Sequence, residues 1–219
     1  MIGVYLMKQI TKLWAPAVLS FLLIAPNMCI SKETTTKPSA IQVIKDFNST
    51  LLHVMKNAKS LDYSGRYETL KPVLVKAFDF SFMIKYAVGQ PWKELTKNPK
   101  QRIIEAFTDF TIATYADRFN GYSGEKIESK NEQDGPRGTK LVKTELVKQD
   151  GSVIKLNYLL RKNERGWQII DIFLKGSISE LATKRSEYNA IVKKSGLNGL
   201  IERIKEKTIV IKAQNSKSK

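Results

Sequence analysis

The hydrophobic period of this chain changes twice, and those changes limit its fold more than any single motif. Up to Gly121 the large apolar residues recur at three- and four-residue steps. Ile41, Ile44, Phe47, Leu51, Val54 and Met55 mark an amphipathic helix over 40–59. Tyr67, Leu70 and Leu74 mark a second, short helix, with Pro72 acceptable only near its start or at a kink. Asp79 is a suitable N-cap for a third helix that Gly89 stops. Asn98 and Pro99 open a long fourth helix with Ile103, Phe107, Phe110 and Thr114 along its apolar stripe. After Tyr122 the period becomes two. Runs at 124–129, 138–149, 152–162 and 166–175 are separated by turn signals such as Asp134-Gly135-Pro136 and Asp150-Gly151. Ile154, Leu156, Tyr158 and Leu160 form one apolar face, and Val142, Thr144 and Leu146 another. The run 166–175 is apolar on both faces except at Asp171, which places it centrally. Helical spacing resumes at Ser179, is broken at Gly196, and ends with Leu197, Leu200, Ile201 and Ile204; 208–219 reads as a flexible basic tail. Helices, then four antiparallel strands, then helices make an α+β chain with its helices on one face of a curved sheet.

The stretch 78–124 holds six of the nine phenylalanines and neither a histidine nor a cysteine. So many large apolar side chains must pack against something, either the chain's own sheet or a ligand. The formal net charge of +16 favours anionic partners: nucleic acid, acidic headgroups or an acidic protein. The lysines are scattered and there is no dense arginine block, which argues against nucleic acid. At the N-terminus Lys8 and Lys12 precede an apolar run, 13–24, broken only by Pro16 and Ser20. That is the length of a secretory signal and short for a membrane span. Residues 1–31 therefore read as a signal peptide, with an uncleaved anchor as the alternative, and 32–39 as a linker. Cys29 is the only cysteine, so a product cut after Ser31 has no disulfide.

Catalytic vocabulary is sparse. His53 is the only histidine, and nothing near it supplies a triad. No phosphate loop, dinucleotide fingerprint or metal-ligand spacing is present. Asp171, inside an apolar strand, needs a partner. It either caps nearby backbone or pairs with an arginine such as Arg185, and an enzyme reading would make it the base.

An ordered set of motifs resembles the MlaC, or toluene-tolerance auxiliary, family. The set begins with Phe78-Asp79-Phe80, Gly89 with Trp92, Gln101, Phe107, Tyr115-Ala116 and Tyr122-Ser123-Gly124-Glu125. It continues with Gly166-Trp167, Asp171-Ile172, Gly176-Ser177-Ile178-Ser179, Arg185 with Tyr188, and Gly196-Leu197 with Leu200. The segments 111–116 and 118–125 look more like the hopanoid-associated branch, HpnM. The resemblance covers 40–207 and implies an NTF2-like fold: a four-stranded curved antiparallel sheet and helices enclosing an apolar cavity. It implies a monomeric, non-enzymatic periplasmic carrier for a phospholipid or hopanoid, without a cofactor and with no nucleic acid. Its implied partners are the inner-membrane subunits of an ABC transporter and an outer-membrane lipoprotein complex.

By residue type and face, the cavity walls are expected to be Phe80, Met83, Tyr86, Phe107, Phe110, Tyr115, Val142, Leu146, Leu156, Tyr158, Ile170 and Ile172. The physical need is large. A two-chain lipid with on the order of thirty methylenes would cost roughly 25 kcal/mol to hold bare in water. Two other readings remain at this point: an NTF2-like enzyme using Asp171, and a basic surface or nucleic-acid-binding module.

Overall fold

The computed structural model describes residues 37–216. The segment expected to be a signal peptide, 1–31, and most of the expected linker, 32–39, lie outside the described residues.

Helix α1, Ala40–Lys56, begins at Ser39, whose hydroxyl accepts from the Gln42 N–H at 3.3 Å. Helix α2, Ala58–Ala77, leaves helical geometry once, at Asp62 (φ 47°, ψ −167°). The Asp62 carboxylate then restarts it by accepting from the Gly65 N–H at 3.1 Å. Pro72 was expected near a start or a kink, but lies well inside this helix. Both Pro72 and Glu68, whose carbonyl the proline leaves without its helical donor, are exposed, so water can replace the lost bond.

The Asp62 kink has its own repair. Buried Arg66 donates to the Ala58 carbonyl at 2.9 Å and to the Ala116 carbonyl, near the end of a later helix, at 2.8 Å. Arg66→Met keeps most of the volume but orphans both acceptors. Its expected cost is about 2–4 kcal/mol, read as a lower midpoint in urea unfolding with an unchanged slope.

Helix α3, Phe80–Val88, is capped by Asp79, which accepts from the Phe82 N–H at 3.0 Å, and ends at Gly89 in left-handed backbone (φ 74°). Asp79 also anchors α3 to the sheet. Its N–H donates to the Ile169 carbonyl at 2.9 Å, and its carboxylate lies 3.1 Å from Arg161 Nε and 3.2 Å from the Asn163 amide. Helix α4, Lys97–Arg118, starts from Thr96 rather than Asn98. Pro99 falls in its first turn, where backbone N–H groups have no helical partner in any case.

The sheet is a simple antiparallel meander: β1 (Lys126–Asp134), β2 (Lys140–Val147), β3 (Val153–Asn163), β4 (Gly166–Leu174) and β5 (Ile178–Ser179). It has five strands, not the four expected; the fifth is a two-residue strand beside the end of β4. β1 runs on to Asp134 instead of stopping at Ser129 because a bulge at Lys130 restores its pairing with β2. Helix α5, Glu180–Ser216, is two segments joined at Gly196 (φ 68°). Where a flexible tail was expected from Thr208, the helix continues to Ser216. Thr208 is buried, Lys212 lies 3.2 Å from Asp109, and the Asn215 amide donates to Asp117 at 2.7 Å. Glu187 on the first segment pairs with Lys207 on the second and so fastens the break.

The helices gather on the inner sheet face. At one end of it the sheet and helices close tightly around Phe47, whose ring meets Phe78, Tyr115 and Tyr158 edge-on at 5.5, 5.7 and 5.9 Å. The result is the α+β fold read from the periodicity, a curved antiparallel sheet backed by helices.

Candidate ligand cavity

At the other end of the inner face the walls part. A cavity of about 310 Å³ lies between α4 and strands β2, β3 and β4, with Met83 of α3 and the first turns of α5 completing it. Strand pairing builds the floor. Leu146 is opposite Ile154, Leu156 is opposite Leu174, and Tyr158 is opposite Ile172. Phe107, Phe110, Thr111, Thr114, Tyr115, Arg118 and Phe119 form the helical wall. The two threonines suit an apolar wall because their hydroxyls are already used. Thr111 donates to the Phe107 carbonyl and Thr114 to the Phe110 carbonyl, each at 2.8 Å.

Eight of the expected wall residues lie together here: Met83, Phe107, Phe110, Tyr115, Leu146, Leu156, Tyr158 and Ile172. Four do not. Phe80 is buried in the core, stacked on Phe78 at 5.4 Å and edge-on to Phe107 at 6.0 Å. Val142 is fully buried opposite Tyr158, toward the closed end. Tyr86 is 46% exposed, with the Arg185 guanidinium 4.8 Å above its ring. Ile170 is displaced by a bulge. Leu159 pairs with Asp171 but Leu160 pairs with Ile169, so Ile170 is the extra residue and Ile169 continues the face of Ile172. The wall also contains residues that the sequence reading passed over, chiefly Phe78, Phe119, Ile154 and Leu174. Leu174 and Ile154 obey the same period-two rule as Leu156; Phe78 opens the Phe78-Asp79-Phe80 motif.

The deep end of the cavity is neutral. Burial pushes the Tyr158 hydroxyl well above its ordinary range. Burial, then the neighbouring Tyr158, does the same to Tyr115. Charge appears only at the rim, as Arg118, Glu180 and Lys184. Lys184 is held 3.2 Å from Glu187, with its ammonium over the Phe110 and Tyr188 rings. Arg118 and Ile154 are the most exposed wall residues, so the cavity opens between the end of α4 and the start of β3.

Asp171 is committed to structure. It accepts from the Ile172 and Leu181 N–H groups at 2.7 and 3.0 Å and from the Ser179 hydroxyl at 2.6 Å, fixing β5 and the start of α5. Of the two structural roles read for it, this is the backbone cap and not the arginine pair; Arg185 instead donates to the Tyr86 carbonyl at 2.5 Å. His53 is exposed on α1, 3.4 Å from the Asn57 amide. Among the described residues no group of three or more His, Cys, Asp or Glu could hold a metal ion, and no helix is long and apolar enough to cross a membrane.

The fold has a solved counterpart. A phospholipid-binding protein from Ralstonia solanacearum, whose structure contains a phospholipid, aligns with a TM-score of 0.70 at 20% identity. The alignment covers 80% of this chain and 99% of that one. The MlaC protein family matches residues 45–206, which include every strand and the whole cavity wall. The chain belongs to the MlaC family.

Proposed function

We propose that the protein is a periplasmic lipid-binding shuttle that carries the apolar part of a membrane lipid between the inner and outer membranes. The observation that carries this reading is the cavity itself. Sheet and helix leave a pocket with apolar walls where a fold of this size would ordinarily close its core, and the pocket's few charges stand at its mouth. A tail of about fifteen methylenes moved from water into such walls gains roughly 12 kcal/mol. The volume, about 310 Å³, is at the low end for small-molecule pockets, so it suits one tail or a compact ring system until the walls part further. The phospholipid held by the Ralstonia protein of the same fold supports this choice of ligand.

In this reading residues 1–31 are the export signal, 32–39 the linker and 40–207 the lipid-binding domain. The protein acts as a monomer without chemistry of its own. It collects and delivers lipid at inner-membrane transporter subunits and an outer-membrane lipoprotein complex. We assign it to the hopanoid-associated branch on the segments 111–116 and 118–125, from which Thr111, Thr114, Tyr115, Arg118 and Phe119 line the cavity. Organic extraction of the purified full chain, followed by lipid mass spectrometry, tests both levels. A hopanoid in the extract supports the branch; a phospholipid alone refutes the branch but keeps the carrier; an extract free of lipid refutes the carrier.

A further inference from the structure

We propose that the hydroxyls of Tyr115 and Tyr158 form a hydrogen-bonding subsite at the deep end of the cavity, and that the buried end of the ligand carries an uncharged oxygen, a hydroxyl or a keto group, to meet them. This rests on reading the cavity as a lipid site. The two rings reach the cavity from opposite walls, Tyr115 from α4 and Tyr158 from β3. Both pack edge-on against Phe47, at 5.7 and 5.9 Å, and Tyr115 also stacks on Phe119 at 5.5 Å. Packing therefore fixes where the hydroxyls stand, without help from polar contacts.

Among the described residues neither hydroxyl has a hydrogen-bond partner, and the two are not bonded to each other. Tyr158 is only 1% exposed, and a buried tyrosine ordinarily finds a partner for its O–H. A missing partner is not by itself the signal. The hydroxyls of Tyr63 and Tyr188 lack one too, but they are sealed inside protein and line no part of the cavity. Tyr115 and Tyr158 instead share the one space that a ligand would fill. The other polar side chains of the wall are accounted for. Thr111 and Thr114 donate to helix carbonyls, and Arg118, Glu180 and Lys184 stand at the rim.

Burial, joined at Tyr115 by the neighbouring Tyr158, holds both phenols protonated. Each can therefore donate one hydrogen bond and accept others. A wholly apolar tail seated here would leave both without a bond, which weakens its binding. A hydroxyl or keto oxygen on the ligand removes that cost. A carboxylate or phosphate does not suit the same place, because the wall's cations, Arg118 and Lys184, are at the rim and an ion buried without a partner is costly. The cavity thus selects a lipid with an uncharged oxygen at the inner end of an apolar body. A diacyl phospholipid with plain tails lacks that oxygen.

The test offers the full chain an equimolar mixture of dodecanol and α,ω-dodecanediol and measures the bound ratio by mass spectrometry. Both probes have a hydroxyl for the mouth; only the diol brings a second one to the deep end. In a wholly apolar cavity that second hydroxyl weakens binding, because its transfer from water goes uncompensated. The unmodified protein is expected to hold the diol at least as well as dodecanol. In Tyr115→Phe combined with Tyr158→Phe the ratio of diol to dodecanol should fall about tenfold or more, while dodecanol, which can enter tail-first, is held as before. The thermal unfolding midpoint should not fall, since no hydrogen bond within the protein is lost. A preference of the unmodified protein for dodecanol, or an unchanged ratio in the double variant, overturns the subsite. A lower midpoint with both probes lost together shows a structural role and also overturns it. The lipid extracted from the unmodified protein should bear a free hydroxyl or keto oxygen at an end of its apolar body. A plain-tailed diacyl phospholipid as the sole extract overturns the subsite and keeps the carrier. Binding of neither probe, with no lipid in the extract, refutes the carrier and the subsite with it.

Discussion

Leu156→Arg is expected to give a folded protein that holds no lipid. Leu156 sits near the start of β3, opposite Leu174, with its side chain half-buried in the cavity wall. In the empty protein an arginine there can extend toward the mouth and keep its guanidinium hydrated, so the fold loses little. A bound tail would bury that charge among Phe107, Phe110 and Ile172, while the acid of the cavity wall, Glu180, stands at the rim. Desolvating an unpaired ion costs several kcal/mol, which is on the order of a hundredfold or more in affinity. The added side chain also fills space that the tail needs. Leu156→Met, which conserves volume and polarity, should bind as before. The checks are the lipid-to-protein ratio by mass spectrometry and the thermal unfolding midpoint. Normal lipid content in Leu156→Arg would mean that the ligand lies elsewhere.

Phe47→Ala is expected to be the most destabilising of the substitutions considered, at about 3–5 kcal/mol. Phe47 is 1% exposed, and its ring meets three aromatic rings edge-on. Those three, Phe78, Tyr115 and Tyr158, are themselves cavity walls. The phenylalanine thus separates the closed core from the open cavity, and removing it lets the two spaces merge. The loss should appear as a lower denaturation midpoint. The surviving folded protein should have a changed lipid preference, because the rings that shape the deep end have lost their backing. A cost below about 1 kcal/mol would contradict this packing.

The sequence carried the architecture because periodicity reports which face of an element is buried. The switch from helical steps to alternation at Tyr122, and back at Ser179, placed the helices, the meander and the side of the sheet that faces them. The same alternation identified Val142, Leu146, Leu156 and Tyr158 as one surface, whereas the run 166–175, apolar on both faces, left the faces of Ile170 and Ile172 to residue type. Ile170 was misplaced because a bulge is a register event between two strands, and nothing in the Gln168-Ile169-Ile170-Asp171 run signals where the extra residue sits. Tyr86 was beyond reach for a related reason. Its helix could have turned it inward, and the contact that holds it outward comes from Arg185, distant in sequence. Phe80 and Val142 have the right character and the right face, but they lie where the walls have already closed. How far apart two walls stand is a tertiary quantity that composition does not record. The Arg66 clamp was equally silent, since the Asp62 kink that calls for it is local backbone geometry.

The central claim, that the space between α4 and the sheet holds lipid, is met most directly by native mass spectrometry of the full chain purified from its own cells without delipidation. The expected spectrum shows the folded monomer with one bound lipid, released by collisional activation and identified by its mass. A folded monomer that is repeatedly empty under the same conditions would contradict the claim.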